Sequence, residues 1–187
     1  MSGHGHVDPA NKKIALLIAV LALFLAISET LGKAAQTSAL SLNIEASNMW
    51  AFFQAKAIRG TSLRAVAEEM EVEMEHPSNK DLRPAMEKRI ADWKKTIARY
   101  DSEPETGEGR KELAARAKEA ETKRDRAMAA YHQFELASGA VQIAIVLASA
   151  SVITAAAWLT WIAVGLGAVG IVFSLIGIFA PQAVHIF

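Results

Sequence analysis

The sequence contains no cysteine among its 187 residues. This excludes disulfides, thiolate nucleophiles and cysteine-ligated metals. Neither charge is in excess, because 20 Lys and Arg balance 20 Asp and Glu, so a uniformly basic nucleic-acid-binding surface is not expected. Proline is scarce as well: the chain has five, and none lies between residues 31 and 74. That stretch is therefore free to form a long, uninterrupted helix.

Charged side chains are absent from residues 139–180, a stretch of 42 positions. As one helix this stretch would be roughly 63 Å long, about twice the thickness of a bilayer's hydrocarbon core. We therefore expect two membrane spans, at about residues 138–157 and 161–180. The division is placed near Trp158 and Trp161, because tryptophan is typical of the membrane surface.

A shorter apolar run, residues 14–27, follows Lys12 and Lys13 near the N-terminus. One interpretation is a secretory signal, for which residues 37–39 would be a poor cleavage site. The other is a retained transmembrane helix that extends to Leu31. We expect the retained helix.

The charged residues are concentrated in residues 32–137, which hold 18 basic and 18 acidic side chains. At the start of this segment, apolar residues recur every seven positions, although Lys56 interrupts the series. Such a heptad predicts a seam that pairs with another helix, either the returning helix of the same chain or a neighbouring subunit. The predicted coiled-coil or oligomer contacts are Leu42, Met49, Trp50, Phe53, Leu63 and Met70.

Together these patterns predict an all-α membrane protein with three transmembrane helices. An extra-membrane helical coiled-coil hairpin lies between the first and second of them. The predicted divisions are a polar N-terminal tail (1–11), the first transmembrane helix (12–31), the charged coiled-coil domain (32–137), a transmembrane helical hairpin (138–180) and a C-terminal tail (181–187).

Small residues recur near every 3.5 positions in the apolar segments, which places each set on one helix face. Membrane helices associate along such faces because their backbones can approach closely there. The predicted helix-packing residues are Ala15, Ala19, Ala22 and Ala26 in the first span, and Ala163, Gly167, Gly170, Ser174 and Gly177 in the third.

Glu29 continues the first of these faces, and Lys33 follows it by four residues. We expect the two to form an ion pair at the membrane surface. A proton or ion relay is the alternative for an acid at the end of a membrane helix.

No pattern in the sequence converges on catalysis. We find no phosphate-binding glycine loop and no locally supported Ser-His-Asp set. The prediction is therefore a protein without catalytic residues, metal or cofactor, and not an enzyme.

The predicted role is that of a self-associating structural, scaffolding or accessory subunit. Its expected partners are the lipid bilayer and either further copies of itself or a larger membrane complex, with no nucleic acid. The alternative is a small oligomeric channel or transport component whose pore is lined by one small-residue seam. A polar, open path along Ser149, Ser151, Thr154 or Ser174 would support this alternative.

Three segments of the chain also carry a resemblance: residues 12–23, 32–37 and 43–56. They resemble a bacterial membrane family known as domain of unknown function four-three-three-seven. The resemblance is strongest over residues 12–64 and covers most of the chain. It implies a bacterial inner-membrane, multi-pass protein with this layout, and it brings no activity or site residues.

Lys and Arg near the membrane are more numerous on the charged domain's side than on the N-terminal side, which favours a cytoplasmic position for that domain.

Overall fold

The computed structural model describes residues 9–183, and every regular element in that range is helical. Helix α1 spans Pro9–Met74, α2 spans Arg83–Asp101, α3 spans Arg110–Thr154 and α4 spans Ala157–Phe179. A single 3₁₀ turn, Pro77–Asn79, follows α1. The all-α prediction is thus confirmed for the described residues. Most of each predicted terminal tail lies outside them.

Helices α1 and α3 each run across a predicted boundary between an apolar span and the charged domain. Helix α1 continues through Gly32 and Gly60 without a break, and α3 joins the charged sequence after Arg110 to the apolar sequence after Gly139. Three described helices are long and apolar enough to cross a membrane: α1, α3 and α4.

The break between α3 and α4 falls at Ala155 and Ala156, several residues before the position that we expected from the tryptophans. Ala155 adopts the left-handed backbone conformation, with φ 54°. The Ala156 N–H donates to the Thr154 hydroxyl, 3.4 Å away. A small residue and a capping hydroxyl end the helix here, and Trp158 and Trp161 lie exposed in the first turns of α4.

The chain divides into two compact units. The first, here called the apolar unit, comprises Met1–Leu40 and Lys123–Phe187, and the second, the charged unit, comprises Ser41–Thr122. The predicted domain boundaries at residues 32 and 137 remain predictions.

The apolar unit has a core of mostly small side chains from α1, α3 and α4. Its buried cluster consists of Leu21, Val141, Ala144, Ala148 and Ala163, with larger aliphatic side chains packed around it. Small buried residues let the helix backbones approach closely. The many van der Waals contacts between the backbones then stabilise the unit in place of bulky core side chains.

The charged unit is built from the outer part of α1, all of α2 and the start of α3. Its buried apolar residues include Met49, Ile90, Ile97, Leu113 and Ala117. Around them, Asp101 accepts from both Arg64 and Arg110, at 2.8 and 2.9 Å. Exposed pairs of this kind contribute little each, so the thin apolar core provides most of the stabilisation.

The loop between α2 and α3 is held by the Glu112 carboxylate. One oxygen accepts from the Ser102 hydroxyl at 2.6 Å, and the other accepts from the Glu103 backbone N–H at 3.1 Å. Gly109 makes this possible, because a Cβ there would collide with the Glu112 carboxylate and lie 2.6 Å from the Cα of Ser102. The Ser102 hydrogen bond, followed by that of the Glu103 N–H, holds the pKa of Glu112 below its ordinary 4.5.

We predict that this carboxylate makes the stability of the charged unit sensitive to acid. A carboxyl group whose pKa is lowered by folding stabilises the fold above its ordinary pKa, and that contribution is lost as the pH falls through the lowered value. The Glu112→Gln variant should therefore have a lower thermal midpoint than the parent at pH 6. The two midpoints should converge as the pH falls below about 4.5. Circular dichroism melts from pH 6 to pH 3 measure this.

The control is Glu105→Gln, because Glu105 lies in the same loop and is exposed. It should follow the parent at every pH. A constant difference between Glu112→Gln and the parent across this range would contradict the prediction.

Candidate functional site: a helix seam and a polar groove

Five residues of α4 are buried: Ala163, Gly167, Gly170, Ser174 and Gly177. They are the small residues that the 4-3-4-3 spacing places on one face. A Cβ on Gly170 would lie 2.5 Å from the Val141 Cγ2, and one on Gly167 would lie 2.8 Å from the Leu21 Cδ2. The face therefore packs against α3 and α1 within the apolar unit, at distances that only glycine allows.

Hydroxyl pairs connect the same helices. The hydroxyls of Ser28 and Ser174 lie 3.0 Å apart, and both side chains are buried. Thr160 donates to the hydroxyl of buried Ser151, also at 3.0 Å. Because a buried hydroxyl without a partner is costly, these pairs fix how α4 lies against α1 and α3.

The exposed surface of α1 in the apolar unit has two distinct faces. Ala15, Ala19, Ala22 and Ala26 are all exposed, so the predicted seam of the first span stays open at the surface. Each alanine is followed directly by a large exposed residue, the set being Leu16, Val20, Leu23 and Ile27. With 3.6 residues per turn, the large residues lie about 100° around the helix from the small ones. We call these the alanine face and the aliphatic face.

A polar groove of about 440 Å³ lies between α1 and α3 in the apolar unit. Side chains of both positive and negative charge line the groove, including Glu29, Lys33 and Glu135. The Glu29 carboxylate accepts from the Gln142 side-chain amide at 3.2 Å. No ion pair joins Glu29 and Lys33 among the described residues, and both side chains are exposed at the groove.

In the charged unit, the six predicted coiled-coil residues face inward or partly inward. Met49 is buried, and the others are half-buried. Trp50 donates its indole N–H to Glu121 at 2.9 Å and meets Phe53 edge-to-face, with ring centroids 5.5 Å apart. Phe53 also stacks under the Arg110 guanidinium, 5.0 Å from its ring centroid. Trp50 and Phe53 thus contact the chain's own helix α3.

Lys56, which interrupts the heptad, is the one lysine buried among the described residues, at 6% exposure. Its ammonium lies 4.0 Å from Glu103 and 3.8 Å from Glu108. The rings of Phe52 and Tyr100 flank it, with centroids 4.9 and 5.8 Å away. A cation at a heptad core position needs such neighbours, so the interruption itself was the signal for this cluster. In this cluster the carboxylates of Glu103 and Glu108 compensate the charge of the buried Lys56 ammonium.

Within residues 9–183, no group of three or more His, Asp or Glu side chains is arranged to hold a metal ion. The arrangements that the structure does present are the α4 seam, the open alanine face and the groove. Of these, the α4 seam is already packed against α1 and α3, and the alanine face and the groove are open at the surface.

A family described as Domain of unknown function (DUF4337) matches residues 10–180 of the chain. No curated protein and no solved structure matches the chain.

We predict that Gly170→Leu destabilises the apolar unit. Its side chain would enter the space of Val141 and approach the Ala137 carbonyl, which a Cβ already meets at 3.1 Å. Overpacking of this kind costs about 1–3 kcal/mol or more. The expected result is a clearly lower thermal midpoint in mild detergent, or failure to fold.

Ile171→Leu is the matched control, because Ile171 is 45% exposed and lies off the seam. It should change stability by less than about 0.5 kcal/mol. Equal behaviour of the two variants would mean that the seam is not a packing contact.

Proposed function

We propose, from the premise that the chain belongs to the family Domain of unknown function (DUF4337), that it is a multi-pass membrane protein of the bacterial inner membrane. In this proposal it self-associates and serves as a structural subunit or an accessory subunit of a larger complex, without catalysis. The alanine face of α1 is the observation that carries the self-association.

The membrane location is supported by the surface of the apolar unit. Large apolar side chains are exposed on all three of its helices, among them Leu23, Val146 and Val172. In water such a surface would be costly, whereas lipid solvates it. Trp158 and Trp161 begin α4, where an interfacial belt is expected at the end of a span.

Self-association is supported by the way in which small and large residues are separated on α1. Leu, Val and Ile side chains are well solvated by lipid, so the aliphatic face needs no protein partner. The alanine face offers lipid little contact, but it allows another helix backbone to approach closely. The α4 seam is already covered by α1 and α3, whereas the alanine face of α1 is open at the surface.

The channel alternative has weaker support. The hydroxyls of Ser149 and Thr154 donate to carbonyls of their own helix, and that of Ser174 pairs with Ser28. A water-filled pore would need such groups to face a common axis. We therefore favour the scaffold over the channel.

We predict that Ala22→Leu weakens self-association. A leucine at this position would hold two helices apart where close approach provides the contact. The parent should run as an oligomer in mild detergent, and the variant should shift towards the monomer. Size-exclusion chromatography with multi-angle light scattering measures the mass of each.

Val20→Leu is the control, because it places the same leucine side chain on the exposed aliphatic face. It should keep the mass of the parent. A monomeric parent, or an Ala22→Leu variant with unchanged mass, would overturn the role of the alanine face.

We also propose that the charged unit lies in the cytoplasm, on the positive-inside argument. The chain lacks cysteine, so a single introduced cysteine reports its side of the membrane without background. Glu105→Cys, in the exposed loop of the charged unit, should resist a membrane-impermeant maleimide in intact cells and react after lysis. Labelling in intact cells would reverse the orientation.

A further inference from the structure

The groove between α1 and α3 lies where the apolar runs of both helices end. On α1 its lining begins at Ser28, one residue after Ile27, and on α3 it reaches from Tyr131 to Gln142, across the start of the uncharged stretch at Gly139. If the apolar unit spans a bilayer, as proposed above, this is the depth of the lipid headgroups. The ligand that is most concentrated at this depth is phospholipid.

The groove presents charges of both signs. Lys33 offers an ammonium group from α1, and Glu29 and Glu135 offer carboxylates from α1 and α3. Lys33 has no ion-pair partner among the described residues, and Glu135 has only a 3.7 Å contact with His132. The formal charge of the three residues is −1. An anionic headgroup would add to this negative charge, whereas a zwitterionic headgroup brings a cation for the carboxylates and a phosphate for the lysine.

The hydrogen-bonding groups of the groove narrow the choice of headgroup further. Carboxylates are acceptors only, so they favour a cation with N–H donors over a quaternary ammonium. The Ser138 hydroxyl and the Gln36 side chain also line the groove and provide donors for phosphate oxygens. Val146, one turn from Gln142 towards the apolar end of α3, is exposed and offers an apolar surface to acyl chains.

We propose that this groove binds the headgroup of a zwitterionic phospholipid with a primary ammonium, of the phosphatidylethanolamine type. Lys33 contacts the phosphate, and Glu135 and Glu29 contact the ammonium group. The inference rests on the proposed membrane location.

The test is native mass spectrometry of the full chain, released from micelles that contain equal amounts of phosphatidylethanolamine, phosphatidylcholine and phosphatidylglycerol with identical acyl chains. The parent should retain phosphatidylethanolamine about tenfold over the other two, the ratio that 1.4 kcal/mol provides. Equal retention of all three lipids would overturn the proposal. The same spectra give the mass of the protein oligomer, so a failure of self-association is read separately from a failure of lipid selection.

Variants of the groove locate the site. Lys33→Met and Glu135→Gln should each abolish the preference for phosphatidylethanolamine. Lys13→Met and Glu105→Gln, at exposed positions outside the groove, should keep it. A preference that survives both groove variants, or that is lost equally in the controls, would place lipid selection elsewhere on the chain and overturn the proposal.

A last arm separates a lipid from a soluble ligand with the same headgroup. Free phosphoethanolamine, added in excess, should leave the retained lipid in place because it lacks the acyl contacts. Complete displacement would mean that the groove takes a soluble phosphoethanolamine compound, which contradicts a lipid site. In liposomes, carbonate extraction of the parent chain tests membrane insertion independently of either result.

Discussion

Helix α4 can lie where it does only because three of its inward-facing positions carry no Cβ. Gly170 faces Val141, Gly167 faces Leu21, and Gly177 faces Phe134. The close approach lets small residues such as Ala144 and Ala163 form a continuous core, and it brings the Ser28 and Ser174 hydroxyls within hydrogen-bonding distance. Without that approach, the two hydroxyls would be buried apart, and the arrangement of α1, α3 and α4 would lose its main determinant of register.

The charged unit achieves order by different means. Its apolar core is thin, so longer side chains complete the contacts: Trp50 reaches Glu121, Arg110 covers Phe53, and Lys56 is enclosed by aromatic rings and acids. Such interactions are individually modest and depend on water and ions around them. The same chain therefore uses close backbone packing in one unit and amphipathic side chains in the other, as the uneven distribution of charge along the sequence requires.

The sequence alone predicted the helical content, the number of apolar helices and the small-residue face of α4 as a set, because helix periodicity depends only on local spacing. It could not show what covers each face. The seams of α1 and α4 have the same spacing, yet Gly170 is buried and Ala22 is exposed. The sequence-based prediction placed the turn near Trp158 and not at Ala155, because tryptophan indicates the depth in the membrane and not the end of a helix. The groove was missed, since Lys33 and Glu135 are distant in sequence and only the fold brings their helices together.

The two proposals for the apolar unit meet on α1. Ala22, Ala26, Glu29 and Lys33 follow a 4-3-4 spacing, so the alanine face leads directly into the charged wall of the groove. A second copy packed along the alanine face would therefore lie beside any headgroup held by Lys33. A lipid in this position would contact both chains and contribute to the interface between them. In these two proposals, helix packing and lipid binding use adjoining parts of one surface of α1. The α4 seam sets the position of that surface, because Gly167 and Ser174 of the seam bury Leu21 and Ser28 on the other side of α1.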